Sequence, residues 1–204
     1  MRILIVAPNC ELSTLTELIA AVGNNLPTIL NGTVTHRELL ATLKTAEFDI
    51  VHFAGHGNSM TLEMSDGPLS IDMLASAIAK HPTLVFLNAC ESLPAAAAMY
   101  SYGTGYAIGW RDGVPDVVAE EFGVVFYRTL ALNGGQIRKA FDTAEDAVTR
   151  THPGAELPTL LNGRMTAIMH ELQEFRERQK LLMFAGPVVA VIALFLALLA
   201  IAGK

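Results

Sequence analysis

A histidine in His52-Phe53-Ala54-Gly55-His56-Gly57 and a cysteine in Leu87-Asn88-Ala89-Cys90-Glu91-Ser92 stand 34 positions apart, each just past an apolar, strand-like run. A thiol delivered beside an imidazole is the pair that a cysteine hydrolase uses: the ring nitrogen takes the thiol proton and the thiolate attacks a carbonyl carbon. Cys90 precedes the small run Pro94-Ala95-Ala96-Ala97-Ala98, so it suits a strand-to-helix turn, where helix-end amides stabilise a thiolate. The alternative for a lone cysteine is a buried core thiol. Cys10 follows the first apolar run without a comparable partner and reads as structural. His52 and His56 have the four-residue spacing of zinc ligands on a helix. This stretch reads as strand entering a glycine loop, and it offers no third ligand at suitable spacing, so neither a metal nor a cofactor is expected. His52 reads instead as a packed strand residue, while His36, His81, His152 and His170 join no recognisable constellation.

Something must hold the pair in place, and the hydropathy pattern supplies it. Apolar strand candidates run over Ile3 to Ala7, Phe48 to Ala54, Leu84 to Asn88 and Tyr106 to Trp110. Helices are predicted from a Ser13 cap to Val22, from a Thr35 cap to Ala46, over Ile71 to Lys80 and over Pro94 to Tyr100. That alternation predicts an α/β fold with a mainly parallel sheet flanked by helices on both faces. Met60 to Met64 and Gly67 to Ser70 flank Ser65-Asp66 as a hairpin, and two helices follow over 117–132 and 136–150, parted by Asn133-Gly134-Gly135. Gly154 to Gly163 reads as a looser connection.

The 204 residues suffice for one globular domain, expected over 1–155, followed by a connector and juxtamembrane helix over 156–180. From Leu181 to Ala202 no residue is charged, which is length enough for a helix to span a bilayer despite Pro187. The apolar stretch at Ile3 is too short for a signal peptide, so the chain reads as tail-anchored. Arg176, Arg178 and Lys180 precede the span and Lys204 follows it, which places the domain on the cytoplasmic side. Gly186, Ala190, Ala193, Ala197 and Ala200 give the span a small-residue face suited to self-association. A net charge of −6, with no dense run of Lys and Arg, argues against nucleic acid as a partner. Two cysteines without paired spacing point to a reducing compartment.

The blocks Val51-His52-Phe53-Ala54-Gly55-His56-Gly57, Ser65-Asp66-Gly67 and Val85-Phe86-Leu87-Asn88-Ala89-Cys90-Glu91-Ser92 resemble the signature blocks of CHAT domains, bacterial relatives of caspases and separase. Gly105-Tyr106-Ala107-Ile108-Gly109-Trp110-Arg111, then Val114-Pro115-Asp116 and a helix with Phe122, Phe126 and Tyr127, continue the likeness in the right order. The departure is one of context, since many CHAT domains sit behind repeat or sensor modules, which are not recognisable here. The resemblance implies a caspase-like fold, Cys90 as nucleophile and His56 as its proton-transfer partner. It also implies an oxyanion hole from the backbone amides of Gly57 and Cys90, with glycine at 57 letting the amide aim into the cleft and the substrate approach closely.

By the same resemblance Trp110, Arg111 and Asp112 lie on the strand edge that lines the pocket before the scissile bond, with Asn88 and Asp116 also beside the cleft. Arg111 would favour an acidic substrate side chain and Asp112 a basic one. The alternative places Trp110 in the core and the charges on a solvated loop. The expected function is a membrane-tethered cysteine endopeptidase of bacterial defence, antiviral or stress signalling, at the inner membrane. Its expected partners are a protein or peptide substrate and a second copy or an activating sensor protein. The other reading is a non-proteolytic oligomerising effector that acts through its membrane helix.

Overall fold

The computed structural model describes residues 1–10, 16–23, 25, 27–78 and 81–162. Five parallel strands form most of one sheet: β1 (Ile3–Pro8), β2 (Thr28–Gly32), β3 (Ile50–Ala54), β6 (Leu84–Asn88) and β7 (Tyr106–Gly109). The spatial order is β2-β1-β3-β6-β7-β8, with β8 (Thr159–Leu161) antiparallel at one edge. β4 (Thr61–Met64) and β5 (Gly67–Ser70) pair separately as a hairpin. The central strands are buried along nearly their whole length, as strands covered on both faces must be.

Six helices lie among the described residues: α1 (Thr16–Val22), α2 (His36–Thr45), α3 (Ile71–Ala77), α4 (Leu93–Ser101), α5 (Asp116–Leu132) and α6 (Ile137–Thr151). Residues Ile3, Ile5, Phe86 and Ile108 share a core with Leu18 of α1, Phe122 and Phe126 of α5 and Phe141 of α6. The alternate strand residues Leu4, Val6, Val51, Phe53, Val85 and Leu87 are equally buried and point to the other face. There α4 packs on β6 and β7. Thr35 caps α2 by accepting from the Glu38 amide, as its sequence position predicts, and Ser70 caps α3 through the Met73 amide.

Two edge strands depart from the sequence expectations. β2 was not anticipated, because Thr28-Ile29-Leu30-Asn31-Gly32 is a half-buried edge without a clean alternation. The connection expected to be loose over 154–163 contains β8, too short to show a period of its own. Trp110 lies one residue beyond β7, and Phe48 two residues before β3. No helix among the described residues is long and apolar enough to cross a membrane. The Ser13 cap, the helix expected from Met165 and the span Leu181–Ala202 lie outside the described residues.

Candidate active site

The β3–β6 pairing decides what meets what. Its register sets Phe53 against Leu87 and Ala54 against Asn88, and Gly55 continues it by donating to the Asn88 carbonyl at 3.3 Å. His56 and Cys90 each follow two residues after that last matched pair, so both leave neighbouring strands at the carboxyl end of the sheet. The two loops touch. A Cβ at Gly57 would lie 3.3 Å from that of Ala89, 3.3 Å from Leu62 Cδ2 and 2.9 Å from the Thr61 carbonyl oxygen. Gly57 does not adopt a positive φ, so of the two reasons for glycine it is close approach, here of the Thr61 carbonyl and Ala89, that the structure requires.

His56 is exposed, and its loop is held by the hairpin. Gly57 and Leu62 form an antiparallel bridge flanked by hydrogen bonds from Glu63 N to His56 O and from Asn58 N to Thr61 O, each 2.9 Å. In that pattern the bridged pair keeps its own amides out of the ladder. Neither the Gly57 nor the Cys90 amide donates to any described residue. The Asn58 carboxamide oxygen accepts from the Met60 and Thr61 amides and closes the loop.

Cys90 is half-buried. Its thiol donates to the Val114 carbonyl at 3.9 Å, and no hydrogen bond joins it to His56. The next residue, Glu91, has a φ of 52°, unusual for a residue with a Cβ, and its amide donates to the Asp112 carbonyl at 3.1 Å. The turn that carries the sulfur is therefore tied to the segment after β7.

The other sequence-predicted site residues divide into two groups. Arg111, Asp112 and Asp116 are exposed around the turn, Asp112 held by its carbonyl and Asp116 in the first turn of α5. Trp110 is 0% exposed, packed edge-to-face on Phe122, with its indole N–H donating to Asn88 Oδ1 at 2.8 Å. Asn88 also donates from Nδ2 to the Ala119 carbonyl at 3.0 Å. Of the two readings of Trp110, the buried indole fits the core one, while the half-buried Asn88 carboxamide fastens β6 to α5. Cys10 is half-buried at the end of β1, where burial and then the nearby Asp116 carboxylate push its thiol pKa up.

His52 is the buried counterpart of His56. It is fully enclosed, its Nδ1 shares a 3.0 Å hydrogen bond with the Tyr127 hydroxyl, and its Nε2 has no partner. Burial lowers its pKa to about 3, which keeps the ring neutral. Among the described residues no cluster of His, Cys, Asp and Glu is arranged to hold a metal. A concavity of about 550 Å³ lies at the opposite, amino end of the strands, lined by Thr83, Tyr106 and the start of α6.

Ser92 escaped the sequence reading. It was named only within the block around Cys90, yet its buried hydroxyl donates back to the Leu87 carbonyl at 2.8 Å and accepts from the Trp110 amide at 3.1 Å.

A model of the CHAT domain matches residues 9–178. The chain belongs to the CHAT domain family. Its fold is similar to that in the crystal structure of the Arg specific cysteine proteinase gingipain R (RGPB), with a TM-score of 0.57 and 14% identity over 75% of this chain and 43% of that one. It is likewise similar to the complex of Porphyromonas gingivalis RgpB pro- and mature domains, with a TM-score of 0.52 and 13% identity over 75% and 44% of the two chains. At these identities the likeness is one of fold, and this CHAT protein spans less than half the length of either neighbour. No curated protein matches its sequence.

Proposed function

We propose that this CHAT protein is a membrane-tethered cysteine endopeptidase working through Cys90 and His56. The observation that carries the reading is the β3–β6 register, which leaves both residues at equal offsets beyond Ala54 and Asn88 with the Gly57 and Cys90 amides unspent. In the proposed reaction a His56 ring nitrogen removes the Cys90 proton and the sulfur attacks a peptide carbonyl carbon. The oxyanion takes hydrogen bonds from the two amides, His56 returns the proton to the leaving amine, and water deprotonated at His56 hydrolyses the thioester.

Because the thiol faces Val114 and not the imidazole, the reading includes a resting state that a substrate, a second copy or an activating sensor protein converts. Asp112 is proposed to select a basic side chain before the scissile bond. Its exposed carboxylate has no ion pair among the described residues, and its carbonyl is fixed to the Glu91 amide beside the sulfur. The charge-free stretch Leu181–Ala202 supports the tether and the bacterial inner membrane as its place. The CHAT resemblance supports a role in regulated proteolysis during stress or antiviral defence.

An electrophilic peptide probe with a basic end residue tests the proposal on the full chain in detergent. Covalent attachment at Cys90 that disappears in His56→Ala supports it. Attachment at Cys10 alone, or attachment at Cys90 indifferent to His56, counts against it. Cleavage that survives removal of Leu181–Lys204 but not Cys90→Ala separates a peptidase from an effector acting only through its membrane segment.

A further inference from the structure

The β6–β7 ladder stops at Phe86 paired with Ile108, yet the two strands do not simply part there. The Ser92 hydroxyl stands between them as an inserted rung, donating to Leu87 O at 2.8 Å on one strand and accepting from Trp110 N at 3.1 Å beyond the other. Ser92 occupies the N-cap of α4, where serine ordinarily turns its oxygen toward the helix amides, but here it makes no such bond. It forgoes the cap in favour of a cross-strand bridge. Two further bonds stiffen the same junction, Leu93 N to Trp110 O at 2.8 Å and Glu91 N to Asp112 O at 3.1 Å.

Between the two ends of the Leu87–Ser92 bond lie only Asn88, Ala89, Cys90 and Glu91, so the hydroxyl closes the loop that carries the sulfur. That loop contains the left-handed Glu91, a conformation that persists only where surrounding contacts impose it. Ser92 itself is 0% exposed.

We infer that Ser92 is the positioning residue for the nucleophile. By bridging β6 to β7 where their ladder ends, it closes the 88–91 loop and holds Cys90 beside the segment after β7 with its amide free. It touches no substrate. This role deepens the peptidase reading and rests on it.

The experiment follows alkylation of Cys90 in the full chain with Cys10→Ala as background, using iodoacetamide across pH and the peptide probe at pH 7. Ser92→Ala should slow probe attachment by about 10- to 100-fold and move the pH midpoint for iodoacetamide, because the 88–91 loop loses the bond that closes it and the sulfur changes its surroundings. Val148→Ala, a buried truncation on α6, serves as the control for instability alone and should leave that midpoint in place. Where Ser92→Ala does not fold, the isosteric pair Ser92→Thr and Ser92→Val decides, with the hydroxyl-bearing variant reacting like the parent and the other not. An iodoacetamide profile identical with and without the hydroxyl overturns the role of Ser92. A parent protein that never takes the peptide probe, while Ser92→Ala still shifts the iodoacetamide midpoint, strikes the peptidase reading and leaves the positioning role standing.

Discussion

The two sides of the candidate dyad are built on different plans. The histidine side relies on backbone: a bridge between Gly57 and Leu62, an Asn58 turn, and a hairpin pinned at its tip by Ser65, whose hydroxyl bonds Asn9 Oδ1 at 2.8 Å and receives the Val34 amide at 2.9 Å. The His56 ring itself stands exposed. The cysteine side relies on side chains: the buried Ser92 between β6 and β7, and the half-buried Asn88 between Trp110 and α5, around a left-handed Glu91. The ties on the histidine side leave its exposed ring outside the bonding, whereas those on the cysteine side fix the backbone that carries the sulfur. In the proposed dyad, closure asks for a side-chain rotation at His56 and release of the Cys90 thiol from the Val114 carbonyl.

The largest effects should come from the reacting groups. Cys90→Ala and His56→Ala should each lower peptide cleavage by about 10³-fold or more, with the thermal unfolding midpoint within a few degrees of the parent. Comparable loss of fold in either variant would mean the two sides are not functional surfaces at all. Asn88→Ala next separates the plans, since it strands the Trp110 indole N–H and removes a second donor from the Ala119 carbonyl. We expect about 2–3 kcal/mol of destabilisation in urea unfolding, against about 1 kcal/mol or less for Asn58→Ala on the solvent-facing histidine side. Equal costs at the two asparagines would erase the distinction.

Gly57→Ala introduces a Cβ 2.9 Å from the Thr61 carbonyl oxygen. The loop must shift, at about 1–3 kcal/mol by chemical denaturation and about 10²-fold in cleavage through the displaced amide. His52 extends the comparison to pH. Its folded pKa of about 3 lies below the ordinary histidine value near 6.5, so between those limits the unfolded chain binds the extra proton and stability falls as pH drops through 6.5 toward 3. The contribution is at most about 1.4 kcal/mol per pH unit in that window, and His52→Leu should flatten the slope. The smallest structural effect belongs to Asp112→Asn. It should alter stability by less than about 0.5 kcal/mol while reducing the preference for basic over neutral peptides by about tenfold.

How much of this could be read from the chain follows from burial. β1, β3, β6 and β7 announced themselves as largely apolar runs because both faces of the sheet are covered, and the helices between them carried legible caps such as Thr35. β2 and β8 did not, since an edge strand with Asn31-Gly32 and a three-residue strand carry too little periodicity. The placement of His56 and Cys90 past strand ends was readable, but not their register, which depends on pairing between segments 34 residues apart. Trp110 shows the limit from the other side. The family resemblance put it at the pocket edge with a core reading left open beside it, and the packing of α5 against the sheet turns the indole inward. Ser92 was equally opaque, because sequence places a hydroxyl at a helix start without saying which way it points.

The most direct measurement is a crystal structure of the full chain captured with a peptide aldehyde carrying a basic end residue. The account predicts a bond from Cys90 Sγ to the former aldehyde carbon, its oxygen between the Gly57 and Cys90 amides, a His56 ring nitrogen within hydrogen-bond reach of the sulfur, and Val114 no longer its partner. An aldehyde found on Cys10, or on Cys90 with its oxygen turned away from both amides and His56 still directed into solvent, would contradict it.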